Sequence, residues 1–208
     1  MLDQISHPIS KEIVVSGLSY LGYRRVIDAL LAEGKTTGSN HSESNINYTK
    51  MNVARMNRVD KIGKVSAEME SLIKSINNPQ TWLIISEAWC GDASQSIPYM
   101  AKLAELNPLI ELKIIFRDEN PEVMDHYLTE GARSIPKLIG LSKDLEEELF
   151  TWGPKPKYLR DRFKAYKVDP KGISPKEFSE GTYLWYARDR NKSIEQELFE
   201  AISEIQNK

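Results

Sequence analysis

One side chain in this sequence is a ready sulfur nucleophile: Cys90, in Trp89-Cys90-Gly91-Asp92-Ala93, just after the apolar run Trp82-Leu83-Ile84-Ile85. A strand that ends in Trp-Cys-Gly and turns into a helix leaves the thiol at the helix N-terminus. Unpaired backbone N–H groups and the helix dipole there favour thiolate. The chemistry this predicts is attack on sulfur. Unpaired cysteines are often buried and inert, but Gly91 and the expected helix start favour an exposed thiol here. Asp92 pulls the other way, because a carboxylate two residues on disfavours a second negative charge. The same Asp92 is equally suited to capping the first helical turn through backbone N–H groups. Ser94 either bonds the sulfur or caps that turn, and capping is preferred. Trp89 either shields the sulfur as part of a docking surface or packs the strand end.

The composition narrows the partners. With one cysteine no internal disulfide can form, so any disulfide must be made with another molecule, and a reducing compartment fits. The 28 basic and 30 acidic residues nearly cancel, which gives no bulk attraction to nucleic acid or to an anionic membrane. His7, His41 and His126 are scattered without metal-ligand spacing, so no metal, no cofactor and no Cys-His pair are expected. The start, Met1 to Pro8, lacks the pattern of a secretory signal, and no apolar run reaches membrane-spanning length. A soluble, cytoplasmic protein is expected, with low-molecular-weight thiols or protein thiols and disulfides as partners. The length allows a core domain with extensions.

The elements that must position Cys90 follow from periodicity. Tyr23, Ile27, Leu30 and Leu31 recur at helical spacing up to the polar loop at Gly34, a second helix is predicted over 48–60, and a third follows a Ser66 cap. A strand from Trp82 to Ser86 leads into a helix that keeps Ile97, Met100, Ala101 and Ala104 on one side and stops at Asn107-Pro108. Next come a strand, Leu112 to Phe116, and a helix with Val123 and Met124 that Gly131 closes. Strand, helix, strand, helix means a parallel pair. Pro136 to Leu141 and Glu147 to Trp152 flank Ser142-Lys143-Asp144 as an antiparallel hairpin. A helix from about Lys157 covers it, and two more follow Pro170.

This β-α-β-α-β-β-α order, with Trp89-Cys90-Gly91 at the first strand-to-helix turn, resembles the thioredoxin-like superfamily. Pro98, eight residues after Cys90, matches the proline that kinks the active-site helix there, and Ser134-Ile135-Pro136 matches the loop that holds the family's cis-proline. The fold class implied is α/β: a central mixed sheet of about four strands flanked by helices. Residues 66–167 form the thioredoxin-like core, 1–65 an N-terminal helical extension packed on it, and 168–208 a C-terminal helical extension. The resemblance implies that Cys90 is catalytic and that Trp89, Gly91, Asp92, Ile135 and Pro136 bind substrate. A cis peptide at Pro136 would expose the Ile135 backbone to an extended ligand. Base rates alone would make Pro136 an ordinary trans proline at a strand start. Arg133 offers charge for a carboxylate-bearing thiol such as glutathione, although a solvated surface arginine is the simpler role.

Two departures from the resemblance matter. Thioredoxins carry a second cysteine three residues after the first, where this chain has Ala93, and a buried aspartate six residues before it, where this chain has Ile84. Both belong to the resolving half of the dithiol reaction. One expected function is therefore monothiol exchange: Cys90 attacks a mixed disulfide, takes up the small thiol, and is released by another thiol from solution. The alternative is a binding or scaffold protein that has lost turnover and kept the groove beside Pro136.

Overall fold

The structure is a computed structural model and describes residues 7–206; the start of the chain, Met1–Ser6, lies outside the described residues. Four helices come first: α1 Lys11–Ser16, α2 Tyr20–Ala32, α3 Glu43–Ile62 and α4 Ala67–Ser75. Serines cap all four, at Ser10, Ser19, Ser42 and Ser66, each accepting from a backbone N–H of the first turn. The core follows as β1 Gln80–Ser86, α5 Ala93–Glu105, β2 Ile110–Phe116, α6 Pro121–His126, β3 Lys137–Ser142 and β4 Glu148–Trp152. The chain then closes with α7 Lys157–Val168, α8 Pro175–Asp189 and α9 Lys192–Gln206.

The sheet order is β2-β1-β3-β4. β1 runs parallel to β2 and antiparallel to β3, and β3 pairs antiparallel with β4. Every residue of β1 is buried, as a strand covered on both faces requires. On the β2 edge, Leu18 exchanges two 2.8 Å backbone hydrogen bonds with Ile114, which blocks further pairing there. α9 packs against β4 and α4, and α3 packs along α5. This is the α/β, thioredoxin-like arrangement of a four-stranded mixed sheet flanked by helices.

Two local expectations need correction. The α3 helix starts five residues before the predicted Tyr48, because Ser42 supplies a cap that the weak apolar pattern there did not signal. Gly131 does not close a helix. α6 ends at His126, and Glu130 and Gly131 (φ 52° and 76°) form the centre of a tight turn in which Thr129 and Ala132 bond each other. Two adjacent residues with positive φ are what a primed two-residue turn demands.

Candidate functional site

The exit of β1 is pinned from the N-terminal side of the chain. The Ala88 N–H donates to Thr37 Oγ1 and its carbonyl accepts from Asn52 Nδ2, both at 2.8 Å and both buried. With both backbone groups of Ala88 satisfied by partners of defined position, the turn that follows has little freedom. Cys90 then donates its thiol to the Ile135 carbonyl at 3.3 Å, so the turn and the Ile135-Pro136 loop face each other. The peptide bonds Ile135–Pro136 and Gly153–Pro154 are both cis. Gly153 (φ 125°) lies so close to the Pro136 carbonyl that a Cβ there would collide with it, which holds the β4–α7 connection against this loop.

The thiol is not exposed, contrary to the sequence expectation. Cys90 is 8% accessible. Tyr23 of α2 and Tyr186 of α8 both lie close enough to interact with it, and α8 packs on the turn that carries it. Tyr186, itself buried, donates its hydroxyl to Asp92 Oδ1 at 2.7 Å, and Tyr183 lies against Gly91, where any Cβ would strike its hydroxyl. The Arg55 guanidinium stacks 3.4 Å from the centre of the Tyr183 ring and Arg58 bonds the Ala187 carbonyl at 3.0 Å, so α3 holds α8 in place. Asn191, just beyond α8, donates to the Gln95 carbonyl at 2.7 Å and fixes the far end of α8 on α5.

This packing decides the electrostatics of the sulfur. Burial pushes the Cys90 thiol up to about 12, and the Asp92 carboxylate adds to that push. The backbone N–H groups of Ala93 and Asp92 and the Lys155 ammonium oppose it without prevailing. The helix N-terminus does favour thiolate, as the sequence implied, but desolvation is the larger effect. Asp92 makes no side-chain cap on α5; it accepts from Tyr186 and pairs with Lys155 Nζ at 2.8 Å. Ser94 bonds neither the sulfur nor an N–H group, and donates to the Gly91 carbonyl at 2.7 Å. With Ile84 in place of a buried acid, the buried carboxyl nearest in sequence to Cys90 is Glu87. Its Oε1 accepts from the Asp118 N–H at 3.0 Å, its Oε2 lacks a hydrogen-bond partner, and burial raises its pKa.

Beside the covered turn lies an open groove of about 340 Å³. Trp89, Cys90 and Ile135 line it. Gly91 and Asp92 are turned toward α8 instead, and Pro136 is buried behind Ile135. Arg117 lies over the Trp89 ring at 4.8 Å, so Trp89 is part of the wall and is only partly buried. Arg133 also reaches the groove while forming a two-bond pair with Asp125 at 2.6 Å. The far wall, not anticipated from the sequence, is Lys155, Arg160, Phe163, Lys164 and Lys167. A signal for it exists in the chain: Arg160, Lys164 and Lys167 recur at helical spacing around Phe163. Among the described residues, no group of three or more His, Cys, Asp or Glu side chains sits together as a metal site, and no helix is long and apolar enough to cross a membrane.

Comparison with known proteins agrees with this geometry. A crystal structure of a protein of unknown function, PA1234 from Pseudomonas aeruginosa, superposes with a TM-score of 0.59 at 15% identity, covering 94% of this chain and 98% of that one. An HIV epitope-scaffold of the 4E10 series gives 0.56 at 16% identity, covering 92% and 96%. Identities this low establish the fold alone. No curated protein matches the sequence. A family model described as Thioredoxin matches residues 38–167, well over half of the chain, and takes in α3 as well as the sheet. With that match, the sheet order and the Trp-Cys-Gly turn together, the chain belongs to the thioredoxin family, as a divergent member with Cys-Gly-Asp-Ala where the dithiol motif would be.

Proposed function

We propose that this protein is a non-catalytic binding member of its family, whose ligand occupies the groove beside Cys90 and Ile135. The observation that carries this is the state of the sulfur. Cys90 is buried and its thiol donates to the Ile135 carbonyl at 3.3 Å; burial holds its pKa well above the ordinary thiol value, so little thiolate forms at pH 7, and only the thiolate attacks disulfides. Ala93 offers no second sulfur to resolve a mixed disulfide. What the fold retains is recognition: a concave surface with an apolar floor, beside a loop whose backbone an extended ligand can approach. Small molecules or protein segments without nucleic acid or membrane character are its partners on this proposal.

A second function, monothiol exchange in cell redox homeostasis, is favoured by one observation: Cys90 contributes to the groove wall, and the Asp92 and Ala93 N–H groups favour its thiolate. One measurement separates the two. The protein and its Cys90→Ser variant are incubated with oxidised glutathione at pH 7 and weighed intact. The binding function predicts that both masses stay unchanged, whereas a stoichiometric adduct on the wild type alone establishes exchange and overturns the proposal.

A further inference from the structure

The groove is lined by positive charge from separate parts of the chain. Arg160, Lys164 and Lys167 come from one face of α7, Lys155 precedes that helix, and Arg117 and Arg133 come from the segments after β2 and before β3. Glu130 is the one acidic residue in the lining. The carboxylates that pair with the other cations, Asp92, Asp118 and Asp125, do not line the cavity. Lys164 pairs with Glu130, and Arg160 donates to the carbonyls of Lys155 (3.0 Å) and Gly153 (3.4 Å) and pairs at 3.9 Å with Glu197, which also lies outside the lining. The Lys155 and Lys167 ammoniums lie 5.0 and 4.7 Å from the Phe163 ring centre, which keeps both heads at the groove rather than free in solvent. Six cations and one carboxylate line a cavity that also presents Trp89, Ile135 and Phe163, and because four of the five pairing carboxylates sit outside the lining, the cavity itself keeps a positive potential that anionic oxygens can meet.

Resting on the binding function proposed above, we infer that the groove takes a small organic anion carrying two or more carboxylate or phosphate groups. Its anionic oxygens meet both the α7 stripe and the Arg117 and Arg133 pair, while its carbon skeleton lies on Trp89 and Ile135. Guanidinium groups provide paired N–H donors for planar or tetrahedral oxyanions, and the lysines add point charge. A monovalent anion can satisfy one of these two groups of cations only, so valence is the selective feature.

The test is calorimetric titration of the full chain at low and high salt with citrate, pyrophosphate and, as monovalent control, acetate. Citrate or pyrophosphate binds the wild type at low salt, weakens as salt rises, and outcompetes acetate; whichever binds tighter assigns carboxylate or phosphate. The exposed double variant Lys164→Gln/Lys167→Gln loses about tenfold in affinity, while Lys176→Gln, outside the groove, matches the wild type. Equal binding by the double variant and the wild type, or no binding of either polyanion at low salt, overturns the inference. Repeating the titration on Cys90→Ser separates this from the proposed function. Polyanion binding retained there supports the ligand class even when the wild type forms a thiol adduct. An unmodified wild type that ignores both polyanions leaves the binding function standing and removes the ligand class.

Discussion

The two sides of Cys90 have been treated differently. On the α8 side, Tyr183 lies against Gly91 and Tyr186 bonds Asp92, and the sulfur is desolvated. On the α7 side, the Ile135 loop and a row of cations stay open to solvent. The residues that bury the sulfur and those that line the groove thus come from different helices, α8 and α7. On the function proposed above, the sheet is shared with the family while the sulfur chemistry is set by Ala93 and by the packing of α8.

Removing the cover should break this contrast most strongly. Tyr186→Ala deletes a buried ring and the hydroxyl that Asp92 accepts, at a cost of about 3 kcal/mol in unfolding free energy. If α8 seals the sulfur, alkylation of Cys90 by iodoacetamide becomes much faster than in the wild type under native conditions. Equal rates would mean that other elements hide the thiol. Gly91→Ala probes the same contact more gently: its methyl group meets the Tyr183 hydroxyl, so Tyr183 must swing away from Arg55, costing about 1–2 kcal/mol. Denaturant unfolding measures that loss, and intermediate alkylation would place the variant between the wild type and Tyr186→Ala. The smallest effect concerns Glu87 beneath the turn. Its folded-state pKa is raised, so the native state binds more protons than the unfolded one above the ordinary glutamate range, and stability falls as pH rises through that window. Glu87→Gln removes this loss: it should melt higher than the wild type at pH 8 and no higher at pH 4.

Much of the core could be read from local pattern. The apolar run of β1, the Pro136 to Leu141 and Glu147 to Trp152 segments around a turn, and the Ser66 cap are all determined within a few residues, and they appear where the pattern put them. Gly131 was legible as a chain reversal but not as a turn centre, because a helix stop and a primed turn both use glycine at positive φ. The exposure of Cys90 could not be read at all. It is set by contacts between distant segments: the thiol meets the Ile135 carbonyl across 45 positions of sequence, and Tyr186 meets Asp92 across 94. The periodicity of α8 shows that it has a buried face, but not what that face covers.

The order of strands and helices, the place of the lone sulfur at a strand-to-helix turn, and the absence of a second cysteine are all fixed by residue types and local pattern. These depend on side-chain type and on periodicities that extend over one element. Whether that sulfur is buried, and which cations share its groove, emerge from long-range packing alone. Desolvation depends on every atom packed within a few ångströms, and the groups near the sulfur include Tyr23 of α2, the Ile135 carbonyl, Lys155 and Tyr186 of α8, whose meeting is set by the closure of the whole chain.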